Sequence, residues 1–175
     1  MKEMKDLRDF ISALDAAGQL VKVNNPVSIE HELADVGASI VREGKGACLF
    51  ENVTDSPWPI FCGGVASHSR AAVALNCDPS EVADTMEKAL DVSNGIAPVR
   101  TEKAAWHDNN LSGSEIDLGN LPILTHSRGD SGPFITGAVT VSKDPISGRG
   151  NLSYNRMSKL DKNILGFNVN ERRDV

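Results

Sequence analysis

The sequence predicts a mixed α/β fold whose character changes partway along the chain. Three observations carry this. Apolar residues recur with the period of a helix in several stretches of the N-terminal part. Short runs between them alternate with period two or are uniformly apolar, as strands are. Beyond about residue 105 the helical period disappears, and β-branched residues and turn signals take over. The expected division is therefore an α/β domain over residues 1–105 and a strand-rich domain over 106–175.

Each element has its own signal. Leu7, Phe10, Ile11 and Leu14 form one apolar stripe, which predicts a helix over residues 6–17. Asp6 can cap it, and Gly18 supplies a left-handed stop. Residues 19–23 alternate and predict a strand, and Asn24-Asn25-Pro26 turns the chain. A second helix is predicted from Ile29 to Glu43, capped by Ser28, with Glu30 and Glu32 at the positive end of its dipole. Gly44 and Gly46 end it, and Ala47-Cys48-Leu49-Phe50 follows as a buried strand. Pro57 and Pro59 break the chain before a strand that begins at Ile60. His68–Leu75 is a short helix, and Asp78-Pro79-Ser80-Glu81 starts another that carries Val82, Met86 and Leu90 on one side.

Residues 100–115 are polar and connect the two parts. Asp130-Ser131-Gly132-Pro133 is a turn, and Phe134–Ser142 is a strand rich in β-branched residues. Asp144-Pro145-Ile146-Ser147-Gly148 turns it back onto Asn151–Ser158 to make a hairpin, and Asn163–Asn170 is a third strand.

Composition excludes some functions. The chain has 175 residues, 40% hydrophobic and 24% charged, the profile of a globular protein, and its net charge of −6 argues against generic binding to nucleic acid or anionic membrane. No apolar run is long enough for a membrane-spanning helix, and the start is charged, so a cytoplasmic location is expected. Cys48, Cys62 and Cys77 have neither zinc-site nor disulfide-framework spacing and are expected to be buried free thiols. His31, His68, His107 and His126 lack partners at metal-ligand spacing.

Gly150-Asn151-Leu152-Ser153-Tyr154-Asn155-Arg156 concentrates a carboxamide, a hydroxyl, a phenol and a guanidinium. On a strand, Asn151, Ser153 and Asn155 point to one face and Leu152, Tyr154 and Arg156 to the other. A carboxamide oxygen suits a hard cation, and a guanidinium suits a carboxylate or phosphate. A solvated strand with ordinary polar residues accounts equally well for this spacing.

Several stretches, taken in order, resemble the UbiD family of decarboxylases. They are residues 6–11 with Gly18-Gln19-Leu20, Leu49-Phe50-Glu51-Asn52-Val53, Ser69–Leu75, Leu121–Leu124 and Asp130–Thr136. The last is Asp144-Pro145 through Gly148 with Asn151–Arg156. The resemblance implies an N-terminal α/β domain followed by the first strands of a split β-barrel of the flavin-reductase type, which binds FMN. It implies non-oxidative, reversible decarboxylation of an aromatic or α,β-unsaturated carboxylic acid. The implied cofactors are prenylated FMN, Mn2+ (or Mg2+) and K+.

By the same resemblance Arg156 is catalytic and engages the substrate carboxylate. Asn151 binds the metal that holds the cofactor phosphate. Asn151, Ser153, Tyr154, Asn155 and Arg156 line the cofactor, as do Asn168, Val169, Asn170, Arg173 and Asp174. Some relatives carry histidine where Asp174 stands. The implied partners are the small-molecule acid, a flavin prenyltransferase that supplies the cofactor, and a further copy in a homo-oligomer. The family's metal-binding glutamate and the glutamates that partner the arginine fall outside these residues. The rest of the enzyme or a second subunit is thus expected to complete the site, and the chain alone is expected to be inactive. A non-catalytic flavin-binding or assembly module and a binder of ordinary FMN are the alternatives.

Overall fold

The computed structural model of the chain describes residues 4–97 and 99–169. They form two compact units. The first runs up to Asn25 and includes Val36–Asn52 and Pro59–Asn110. The second comprises Pro26–Asp35, Val53–Trp58 and the chain from Leu111. The second unit thus draws two short segments from well upstream of its main body. The fold is mixed α/β, as the two periodicities require.

In the first unit, α1 (Leu7–Ala16) starts where the Asp6 carboxylate accepts the backbone N–H groups of Arg8 and Asp9 at 2.9 and 3.0 Å. It stops at Gly18, which takes the left-handed conformation with φ of 66°. Strand β1 (Leu20–Val23) pairs in parallel with β2 (Ala47–Phe50), Leu20 opposite Ala47. Parallel neighbours need a crossover, and α2 (Glu32–Arg42) lies on that connection. Strand β3 (Ile60–Cys62) then adds antiparallel to β2, giving the order β1-β2-β3. The apolar run of β2 is the centre of this sheet, and Ala47, Cys48 and Phe50 are fully buried, as is Leu14 of α1.

Helix α3 (His68–Leu75) matches its predicted span and is capped by the Ser67 hydroxyl, which accepts from the Arg70 N–H at 3.3 Å. Arg70 is buried, and its Nε donates to the Gly63 carbonyl at 2.9 Å. Gly63 can offer that carbonyl because it adopts φ of 72°, and a Cβ there would come within 2.6 Å of Val41 Cγ2. The capping box of Asp78 and Glu81 forms as the sequence predicts, but its first turn, Pro79–Glu81, is a tight 3-10 turn ahead of α4 (Val82–Leu90). The apolar side of α4 is open: Met86 and Leu90 are both exposed.

Cys48 and Cys62 are neighbours across β2 and β3, a pairing that the wide sequence spacing hides. Both are free thiols. Burial pushes the Cys48 thiol up to about 12, with Cys62 beside it adding to the rise, and burial raises Cys62 as well. Thiols held so far from thiolate are poor nucleophiles. Cys62 and Cys77 are only partly buried, so the expectation of burial holds in full for Cys48 alone.

In the second unit, residues 28–31 are diverted from the expected helix. Thr125 donates to the Ile29 carbonyl at 3.2 Å and accepts from the His31 N–H at 2.8 Å, and His31 turns to φ of 66°. Helix α2 therefore begins at Glu32 and not at Ile29. Ser28 still takes part in the start: its hydroxyl accepts the Glu30 N–H, and its own N–H donates to Glu32 Oε2 at 2.8 Å. The buried apolar residues of this unit are Val27, Leu33, Val53 and Ile123.

The predicted long hairpin is broken in both arms. Phe134–Ser142 divides into β4 (Phe134–Ile135) and β5 (Val139–Lys143). Its partner divides into β6 (Gly150–Tyr154) and β7 (Met157–Asp161). Strand β5 pairs only with β6, while β4, β7 and β8 (Ile164–Phe167) form a sheet in the order β4-β7-β8. The cause is a mismatch in residue count. Ile135 lies opposite Met157, and Val139 opposite Tyr154, so the three residues 136–138 face only Asn155 and Arg156. One extra residue on one arm is a bulge, which bends the strand and re-aims the side chains beside it.

Candidate functional site

The ribbon β5–β6 and the bulge at its base hold the residues that the sequence singles out. The turn at its tip is set by Asp144. Its carboxylate accepts the N–H groups of Ile146 and Ser147 at 2.7 and 3.2 Å and the Ser147 hydroxyl at 2.8 Å. These bonds favour the charged form, the Ile146 N–H most of all, and hold Asp144 below the usual carboxylate range. Gly148 closes the turn with φ of 72°.

The turn fixes the register, and the register fixes two faces. Thr140 lies opposite Ser153 and Ser142 opposite Asn151. With Asn155 they form a partly buried polar face of three hydroxyls and two carboxamides. Val139 opposite Tyr154 and Val141 opposite Leu152 make the other face, which is exposed; Val141 and Tyr154 are each 78% accessible. The ribbon thus turns its polar side inward and its apolar side out, the reverse of an ordinary half-buried sheet.

The polar face is already ordered from within. Asn155 Nδ2 donates to Ser153 Oγ at 2.6 Å and to Thr140 Oγ1 at 3.3 Å. All five side chains are uncharged, so the face presents hydroxyl donors and carboxamide groups to whatever meets it. That chemistry suits an oxyanion such as a phosphate. It does not by itself make a metal centre: among the described residues no group of three or more His, Cys, Asp or Glu could hold an ion.

Arg156 leaves the bulge on the exposed side, and its guanidinium lies over the Phe134 ring at 5.3 Å from the centroid. A ring face attracts the cation without using its N–H groups. Among the described residues no hydrogen-bond partner takes its five donors, which suit a carboxylate bound as a fork.

The structure brings Asn151, Ser153 and Asn155 together on one face, and Tyr154 lies on the other. Asn168 and Val169 leave β8 just past Phe167, which pairs with Met157, so they emerge at the level of Arg156 and Asn155. Asn170, Arg173 and Asp174 lie outside the described residues. Sequence reasoning missed Thr140, Ser142 and Phe134. The first two carry a findable signal, the alternation Val139-Thr140-Val141-Ser142 facing Asn151–Tyr154. No helix among the described residues is long and apolar enough to cross a membrane.

Comparison with known proteins falls on the same residues. The profile of the 3-octaprenyl-4-hydroxybenzoate carboxy-lyase N-terminal domain (UbiD_N) matches residues 11–90. That of the 3-octaprenyl-4-hydroxybenzoate carboxy-lyase Rift-related domain (UbiD) matches residues 97–175, which include the ribbon. An uncharacterized protein in the cooM 5′ region of Rhodospirillum rubrum is 33% identical over 172 residues, covering 97% of this chain and 36% of that protein.

Among solved structures, an evolved dimeric form of the UbiD-class enzyme HmfF from Pelotomaculum thermopropionicum, in complex with prFMN, superposes with a TM-score of 0.79 at 28% identity. It covers 95% of this chain and 38% of the enzyme. The apo 3,4-dihydroxybenzoic acid decarboxylase of Enterobacter cloacae gives 0.80 at 26% identity, covering 98% and 38%. The fold matches that of UbiD-class structures, and the chain belongs to the UbiD family. It spans little more than a third of the length of these relatives.

Proposed function

We propose that the chain is part of a UbiD-type decarboxylase that acts reversibly and without an external oxidant on an aromatic or α,β-unsaturated carboxylic acid. The observation that carries this reading is the ribbon β5–β6. It sets a hydroxyl-lined polar face along its length and, just past the end of β6, a guanidinium over the Phe134 ring. The HmfF structure, bound to prFMN, supports prenylated FMN as the cofactor. When bound, that cofactor supplies the electron sink that loss of CO2 from an sp2 carbon requires.

The chain's own residues hold and orient. Asn151, Ser153 and Asn155 take the phosphate-bearing part of the cofactor. Arg156, steadied over Phe134, fixes the substrate carboxylate, and positioning of this kind contributes much of the rate. Asn151 would be the ligand that these residues offer Mn2+, and among the described residues no group of three or more His, Cys, Asp or Glu could hold Mn2+ or K+. Asn168, Val169, Asn170, Arg173 and Asp174 extend the cofactor wall in this reading. A split barrel over residues 106–175, a homo-oligomer, a prenyltransferase as cofactor supplier and a cytoplasmic location belong to the same proposal. The dimeric HmfF relative supports the oligomer.

Two measurements test it. Arg156→Ala in the full-length polypeptide removes the carboxylate anchor and lowers turnover by about a hundredfold or more; near-normal turnover excludes that role. These 175 residues alone, assayed with prenylated FMN, Mn2+ and K+, show no decarboxylation, since they span about a third of the relatives' length. Turnover by the chain alone would overturn that part.

A further inference from the structure

We infer that Ser142 is a ligand-binding residue whose hydroxyl donates to a phosphate oxygen seated on the polar face of β5–β6, beside Asn151. The starting point is an orphan. Ser142 Oγ is buried and has no hydrogen-bond partner, the one such side-chain atom among the described residues. Buried hydroxyls are normally paired, and a group left unpaired calls for an explanation.

Its surroundings supply one. Ser142 lies directly opposite Asn151 and two positions along β5 from Thr140, which faces Ser153. Thr140 Oγ1 and Ser153 Oγ both accept from the Asn155 amide, so each must give its own O–H proton elsewhere. Three hydroxyl protons, from Thr140, Ser142 and Ser153, are therefore available on one partly buried face that carries no ionisable side chain. Neutral donors grouped in this way fit an acceptor with several oxygens. A phosphate monoester is such an acceptor, and a hydrogen bond to a charged oxygen is stronger than one between neutral groups. The inference rests on the flavin reading of this face and adds to it a residue on β5, a strand from which the family resemblance draws no site residue.

The source of the phosphate, a flavin nucleotide or the free ion, is decided by titrating the full-length polypeptide with FMN and with riboflavin, which lacks the phosphate. Wild type, Ser142→Ala and Ser142→Thr are compared by flavin fluorescence. Ser142→Ala is expected to weaken FMN binding about tenfold or more and to leave riboflavin unchanged, while Ser142→Thr, which keeps the hydroxyl, restores FMN binding. Without ligand, Ser142→Ala melts no lower than wild type, because it removes an unpaired group. Equal FMN affinity in wild type and Ser142→Ala overturns the inference and leaves the flavin reading standing. Equal losses for FMN and riboflavin overturn it too. If wild type binds no flavin, the flavin reading falls, and calorimetry with inorganic phosphate decides the rest: binding weakened by Ser142→Ala keeps the oxyanion site, and no binding removes it.

Discussion

The sheet β1-β2-β3 and the ribbon β5–β6 both carry apolar side chains and place them oppositely. In β2 the apolar side chains go inward, and Ala47, Cys48 and Phe50 lose all contact with solvent. In β5–β6 they go outward, and the inward side is given to hydroxyls and carboxamides. The first arrangement gains stability from burial, since each large apolar side chain removed from water contributes about 1.5–3 kcal/mol. The second, over these residues, does not: of the two β-structures one is buried and the other leaves its apolar face open.

The largest expected effect tests that contrast directly. Phe50→Ala empties a site that is 0% exposed and should cost about 3–5 kcal/mol in denaturant unfolding. Leu152→Ala, on the open face of the ribbon, should change stability by less than about 0.5 kcal/mol. Similar costs at the two positions would break the comparison. Gly63→Ala comes next. It forces a side chain into a left-handed backbone and against Val41, and should destabilise the first unit by about 1–3 kcal/mol. An unchanged melting curve would show that the loop relaxes.

The smallest effect is at the ribbon's tip. Asp144 has a folded pKa below its unfolded one, so its contribution is present above the unfolded value and is lost as pH falls through the folded value. Amide exchange at Ile146 and Ser147 should therefore accelerate below the usual carboxylate range in wild type. In Asp144→Asn that acid-side step should be absent. A step that persists in the variant assigns it to another group.

Much of the first unit was legible because its signals are local. The Asp6 cap, the Gly18 stop, the apolar run of β2 and the span of α3 all depend on residues within a turn or two of one another. The start of α2 was not, because it is decided by Thr125, a residue far along the chain that pairs with Glu30. In the ribbon, period two was enough to place Asn151, Ser153 and Asn155 on one face. It could not place Arg156 over Phe134, since that contact depends on how β4 and β7 pair. Nor could it show the break between β4 and β5, because a bulge is a difference in length between two strands and neither strand carries it alone.

That difference in length has a consequence for how the site tolerates change. Residues 136–138 outnumber their partners by one, and the bend at which the ribbon leaves β4 and β7 follows from that count. Many substitutions there leave the count intact and with it the orientation of everything beyond. Removing one residue, a change that surface segments ordinarily absorb, would take away the bulge and re-aim the ribbon, while the turn at Asp144 keeps β5 and β6 in register. Over those three positions the orientation of the ribbon depends on chain length more than on side-chain identity.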